Sequence, residues 1–199
     1  EVTYNGTDLE RFDIKFLETY RREIRSEYNI PDDAFVIGII GRMDGIKGHR
    51  DLIKVVNYLS KRHKKIYAIL VGDGKEFEDN VQLVKKLKLE NRIIFTGLRL
   101  DSEKLHAAFD VFTLLSKQGF EMFPNVIVEA MTYGKPFLSV NTTGIPEMAK
   151  DGEGIICECN DFDSYCYGFE KLISNRELRE KMGRKGRRSV EEKFNISSV

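Results

Sequence analysis

Short apolar runs of strand length alternate with longer amphipathic stretches along almost the whole chain, and this alternation constrains the fold most. Six runs have that character: "AFVIGIIG", "KIYAILVGDG", "NRIIFTG", "DVFTLL", "KPFLSV" and "EGIICE". Between them lie stretches of helical period. "RFDIKFLETYRREIRSEYNI" places Phe12, Phe16, Leu17, Tyr20 and Ile24 on one stripe, and "GHRDLIKVVNYLSKRH" and "EFEDNVQLVKKLKL" repeat the pattern. "DSEKLHAAF" reads as a short helix opened by an Asp cap, and the tail from Asp161 to about Phe194 reads as two helices. Strands that are apolar on both faces and separated by helices form a parallel sheet covered on each side. The expected fold is one three-layer α/β domain of about six parallel strands. Ligands on such sheets bind beyond the carboxyl ends of the strands, so the residues just after each strand matter most.

After the first run comes "GRMDGIKGHRDLI". Gly41 allows close backbone approach, and Arg42 and Lys47 follow in a glycine-rich loop leading into a helix. A planar guanidinium and a flexible ammonium suit an anion such as a diphosphate; solvated surface residues are the other reading. After the second run, "GDGKEF" has Phe77 where a dinucleotide fingerprint needs its third glycine, so a tight turn is the better reading.

After the fourth run comes "QGFEMFPNVIVEAMTYGKP", which carries Glu129 inside an otherwise apolar stretch and Glu121 upstream of it. Pro124 fits a helix start, Gly134 a stop, and Pro136 forbids continuation, which predicts a helix from about Pro124 to Tyr133. Its amino end is a seat for a phosphate. A buried carboxylate needs donors. For Glu129 these are either two adjacent sugar hydroxyls or an internal Arg or Lys, unless the side chain is partly exposed.

Composition narrows the function class. The 199 residues are 41% hydrophobic and contain no bilayer-spanning tract. Lys+Arg 32 against Asp+Glu 32 gives no basic excess, which argues against a nucleic-acid or membrane-surface binder. Cys157, Cys159 and Cys166 lack ligand-like spacing and read as free thiols of a reducing, cytoplasmic compartment. "DFD" at Asp161–Asp163 imitates an Asp-x-Asp metal motif but opens a tail helix, where capping is the simpler role.

The series "NGTDLERF", "GRMDGIKGHRDLI", "LVGDGKE", "RIIFTG", "FEMFPNVIVEAMTYGKPFL" and "TGIPEMAKDGEGII" resembles glycosyltransferase family 4, the "group 1" enzymes, from Asn5 to about Phe194. Glu-x7-Glu with Pro-Asn between, joined to Arg-x4-Lys-Gly after the first strand, is the specific combination. The resemblance implies a Rossmann-like carboxy-terminal half of a two-domain GT-B glycosyltransferase. Residues 1–12 are then an interdomain linker remnant, 13–194 the nucleotide-sugar donor domain, and the amino-terminal acceptor domain is outside this chain. It further implies that Arg42 and Lys47 grip the donor diphosphate and that the N–H groups of Asn125 and Val126 hold the distal phosphate, since Pro124 has none. Glu129 takes the ribose 2′- and 3′-hydroxyls, and Glu121 lies by the transferred sugar. Arg99, Asp101 and Lys104, after "RIIFTG", are candidates for contacting the base.

The implied reaction is retaining transfer of a sugar from a nucleoside diphosphate, on UDP or GDP, to an acceptor hydroxyl, with no cofactor or metal expected. A glycan or lipid-linked acceptor, and any membrane association, belong to the absent half. An epimerase of the same fold and a nucleotide-binding module without turnover are the alternatives. Two positions depart from the family pattern. Met122 stands where Gly is usual, so its side chain is expected to narrow the sugar pocket or shift Glu121; Thr143 replaces a second common glycine.

Overall fold

The computed structural model describes residues 14–193. The expected linker at residues 1–12 and Phe12 of the first helical stripe lie outside them. A 3-10 turn at Ile14–Phe16 leads into helix α1, Leu17–Glu27. Strand β1 spans Phe35–Ile40, α2 His49–Leu59, β2 Ile66–Val71, α3 Phe77–Leu87, β3 Ile93–Gly97 and α4 Ser102–Ala108. Strand β4 spans Val111–Leu114, α5 Asn125–Thr132, β5 Phe137–Val140, α6 Ile145–Met148, β6 Gly154–Cys157, α7 Phe162–Ser174 and α8 Arg176–Lys193.

All six predicted strands are present, and they form one parallel sheet in the order β3-β2-β1-β4-β5-β6. The order reverses between β1 and β4, the switch point at which open α/β sheets leave a crevice beyond their carboxyl ends. One apolar cluster, built on Ile37, Ile39, Leu70, Leu138 and the inner face of α2, covers one side of the sheet. A second, built on Val36, Ile69, Phe109, Phe112 and α5, covers the other. Helix α2 shows how the period produces the layer: Leu52, Ile53, Val55, Val56 and Leu59 are all buried, each contributing roughly 1.5–3 kcal/mol by leaving water. Cutting Leu52 to Ala would cost about 2–5 kcal/mol.

Two expectations need correction. The stripe on α1 is fully buried only at Ile24. Phe16 is exposed and Leu17 and Tyr20 are only partly covered, while Ile24 and Arg25 are buried. The chain buries the arginine because its guanidinium donates to the carbonyls of Pro31, Asp32, Ala34 and Ala108 and to Asp110 Oδ2, satisfying every direction of its fork. Asp101 occupies the cap position of α4, but its carboxylate is taken by Arg99, at 2.8 Å through each oxygen, and caps nothing. The short helix α6, which carries Pro146 in its first turn, has no apolar period long enough to announce it. By contrast, Asp161 caps α7 as expected, accepting from the Ser164 N–H at 3.0 Å.

Candidate functional site

The loops after β1, β2, β4 and β5 are sewn together at the carboxyl rim. Gly72, at φ 125°, lies so close to the β1–α2 loop that a Cβ there would sit 2.1 Å from the Gly41 carbonyl oxygen. Close approach of two chains, rather than a simple turn, is therefore what the "GDG" glycines supply. The Met43 N–H donates to Asp73 O at 2.9 Å and continues the seam. On the other side, Leu115 N–H donates to Lys47 O at 3.2 Å and Lys117 N–H to Ile46 O at 2.9 Å.

These main-chain ties carry Lys47 to the segment after β4. Its ammonium contacts Glu121 Oε1, to which the Ser116 hydroxyl also donates, at 2.8 Å. Glu121 is 6% exposed, so the two donors answer the need of a nearly buried carboxylate. Gly41 sits beside the Lys47 stem, its would-be Cβ 3.3 Å from Lys47 Cγ. Arg42 is not drawn into this cluster. Its side chain is 76% exposed and its Nε donates to Asp44 at 3.0 Å. Burial opposes ionisation of Asp44, yet the Ile46 N–H and Arg42 together hold it below the usual carboxylate range.

The loop that bears Glu121 is fixed from below by the loop after β5. Gly119 N–H donates to Thr142 Oγ1 at 3.0 Å. Gly144 takes φ 80°, and a Cβ on it would meet the Met122 carbonyl oxygen at 1.6 Å, so glycine alone fits. Met122 is 78% exposed. Thr143 is exposed.

Helix α5 begins one residue later than expected, at Asn125, with Pro124 as its cap residue. No side chain caps it, so the first N–H groups, at Asn125 and Val126, carry the unmet donor capacity of a helix start. Asn125 is exposed and Val126 half-buried. Glu129 lies four residues beyond Asn125, about one turn along the axis. Neither Arg nor Lys is its partner. Glu129 Oε2 meets His106 Nε2 at 3.1 Å, and the carboxylate side chain keeps 21% exposure.

The three residues expected at the base have partners within the chain. Arg99 donates to Glu27, Tyr28 and Asp101, and Lys104 Nζ lies 3.5 Å from Glu23 and over the Tyr20 ring. They bind α4 and its leading loop to α1. Sequence reasoning missed Ser116, Thr142 and His106 as contributors. The first two follow directly after β4 and β5, a position that could have flagged them; His106 sits in an apolar helix face and gave no such signal.

A broad cleft of about 970 Å³ opens at the opposite, amino rim of the sheet, lined by Arg21, Asp110, Lys135 and Arg179 among others. Its charges are engaged internally: Arg21 pairs with Asp110, Arg179 donates to Ile173 O, and Lys135 donates to Ala107 O at 3.0 Å. Burial pushes the Lys135 amine down to about 8.

The family model described as Glycosyl transferases group 1 matches residues 20–189. N-acetyl-alpha-D-glucosaminyl L-malate synthase of Bacillus anthracis is 31% identical over 179 residues, covering 89% of this chain and 46% of that protein. A crystal structure of Anabaena Alr3699/HepE in complex with UDP and glucose matches with a TM-score of 0.87 at 26% identity, covering 100% of this chain and 54% of that one. The C-terminal domain of the group 1 protein LpcC from Francisella tularensis has the same fold, with a TM-score of 0.80 at 24% identity over 96% of this chain and 100% of that one. The chain spans about half the length of the curated relatives it matches.

Proposed function

This chain belongs to the group 1 glycosyl transferases, with the Rossmann-like fold of the carboxy-terminal half of a GT-B enzyme, and from that premise we propose that it binds the nucleotide-sugar donor of a retaining sugar transfer. The observation that carries the reading is the cluster of Lys47, Glu121 and Ser116 on the loops that flank the uncapped start of α5, at the switch point of the sheet. An ammonium and a ring of unmet N–H donors are what a diphosphate needs, and a carboxylate one turn along the helix suits a ribose.

In the reaction the bond from the anomeric carbon to the diphosphate oxygen breaks, and its electron pair leaves with the nucleoside diphosphate. The acceptor oxygen forms the new bond on the same face, and its proton leaves with the departing phosphate or to solvent. Charge grows on the diphosphate in the transition state. Lys47 and the N–H groups of Asn125 and Val126 stabilise it from fixed positions, and the exposed Arg42 joins them by turning from Asp44. Glu121, held by Lys47 and Ser116, faces the transferred sugar and the positive charge developing at its anomeric carbon.

A uridine nucleotide is the first donor to test, because the Alr3699/HepE structure holds UDP and glucose. The experiment is a melting-temperature panel of UDP, GDP, ADP and dTDP on this chain. A ligand at 100 times its dissociation constant adds about 2.7 kcal/mol of stability. At least one diphosphate should raise the midpoint, and the Lys47→Ala variant should lose most of that rise. No response to any of the four would overturn the proposal.

A further inference from the structure

The buried imidazole under Glu129 has a geometry that neither packing nor the family motif accounts for. His106 is fully buried on α4, boxed between Phe109 and Phe112 at ring distances of 5.6 and 5.3 Å. Its Nε2 meets Glu129 Oε2 at 3.1 Å, whereas its Nδ1 is buried with no hydrogen-bond partner among the described residues. Only one tautomer suits such surroundings. A proton on Nε2 gives the carboxylate a donor and leaves a bare lone pair on Nδ1. A proton on Nδ1 would bury an unanswered N–H and turn the Nε2 lone pair against an anion.

We infer that His106 is a positioning residue for the donor site: it donates from Nε2 to Glu129 Oε2 and so fixes the carboxylate's rotation, leaving Oε1 and the outer lone pairs of Oε2 directed at the ribose hydroxyls. The inference rests on the proposed ribose role of Glu129 and adds to it. A glutamate has three side-chain torsions, and one at a helix surface with 21% exposure samples several rotamers. Two adjacent hydroxyls are matched only by one plane of the carboxylate. The aromatic box holds the imidazole, the imidazole holds one oxygen, and the entropy of arranging the pair is settled before the ligand arrives.

The test compares the affinity of this chain for uridine diphosphate and for its 2′-deoxy analogue by calorimetry, in wild type, His106→Phe and His106→Gln. The phenyl ring fills the same box without a donor, while the glutamine amide restores one near the Nε2 position. Wild type should prefer the ribonucleotide about tenfold, the value of one hydrogen bond to a charged group. His106→Phe should shrink that preference to about twofold or less, and His106→Gln should recover most of it. An undiminished preference in His106→Phe overturns the inference and leaves the ribose role of Glu129 standing. No preference in wild type removes that role itself, and the inference with it. A measurement on wild type covers the case in which His106→Phe does not fold. Nitrogen-15 imidazole spectra should show His106 as the Nε2-protonated tautomer, with a signal that shifts on adding uridine diphosphate. An Nδ1-protonated ring, or a signal unmoved by the ligand, overturns it.

Discussion

The two rims of the sheet bury charge by opposite rules. At the amino rim Arg25 is 1% exposed, and every arm of its guanidinium ends on a carbonyl or on Asp110, which also accepts from Arg21 and from the Val36 N–H at 2.7 Å. At the carboxyl rim Lys47 keeps a quarter of its surface, Glu121 has two donors on one oxygen, Glu129 meets one imidazole nitrogen, and α5 starts uncapped. A group whose bonding is complete can only hold the fold. A group whose bonding is half complete retains capacity for something else. The amino rim thus fixes where the strands begin, and the carboxyl rim keeps the spare bonding capacity on which the proposed donor site rests.

The largest expected effect tests the completed rim. Arg25→Met should lower unfolding free energy by about 3–5 kcal/mol, because it takes a charged donor from Asp110 and leaves several carbonyls unpaired in the interior. Urea denaturation measures it, and a loss below about 1 kcal/mol would mean that the network is only decorative.

The next effect comes from the carboxyl rim, where His49 at the start of α2 is buried with no partner on Nε2. Burial pushes its pKa down to about 4, against the pull of Asp44. The unfolded chain takes up this proton near pH 6.5, so stability should fall as pH drops from 6.5 to 4, by about 3 kcal/mol from this residue. His49→Leu should flatten that limb of the stability curve, and an unchanged slope would show that the histidine titrates normally.

Ligand affinity separates the rims more sharply than stability does. Lys47→Ala should weaken nucleoside diphosphate binding about 10- to 100-fold. The smallest effects divide the two glutamates. Glu129→Ala should weaken nucleotide binding about tenfold. Glu121→Ala should leave nucleotide binding within about twofold of wild type, a change near the noise of a single weak contact, and instead lower sugar transfer in the enzyme that carries both halves. Equal binding losses from both variants would erase the distinction between ribose and sugar ends of the pocket.

What the sequence disclosed, and what it withheld, follows the range of the interactions. All six strands and the limits of α5 were readable because apolar period, Pro124 and Gly134 act within a few residues of themselves. Glu129 was readable as an acid inside an apolar stretch, and Glu121 as a second acid just upstream of it. Their partners were not readable. Lys47 reaches Glu121 across 74 positions and His106 reaches Glu129 across 23, through loops whose meeting depends on the completed sheet. Nor was the pairing of Arg99 with Glu27, across 72 positions, readable from its loop. Arg25 was hidden for another reason: a helical stripe is scored by apolar residues, and nothing local says that an arginine will find its carbonyl partners.

The contact between Gly144 and the Met122 carbonyl separates two properties that usually change together. The main chain at position 122 is clamped by a neighbour that tolerates no side chain, while the methionine's own side chain reaches open solvent. Residue 122 can therefore be exchanged for a smaller, larger or charged one without redirecting the chain through the adjoining acid. It is an exchangeable position on a rigid mount, provided that Gly144 is left alone.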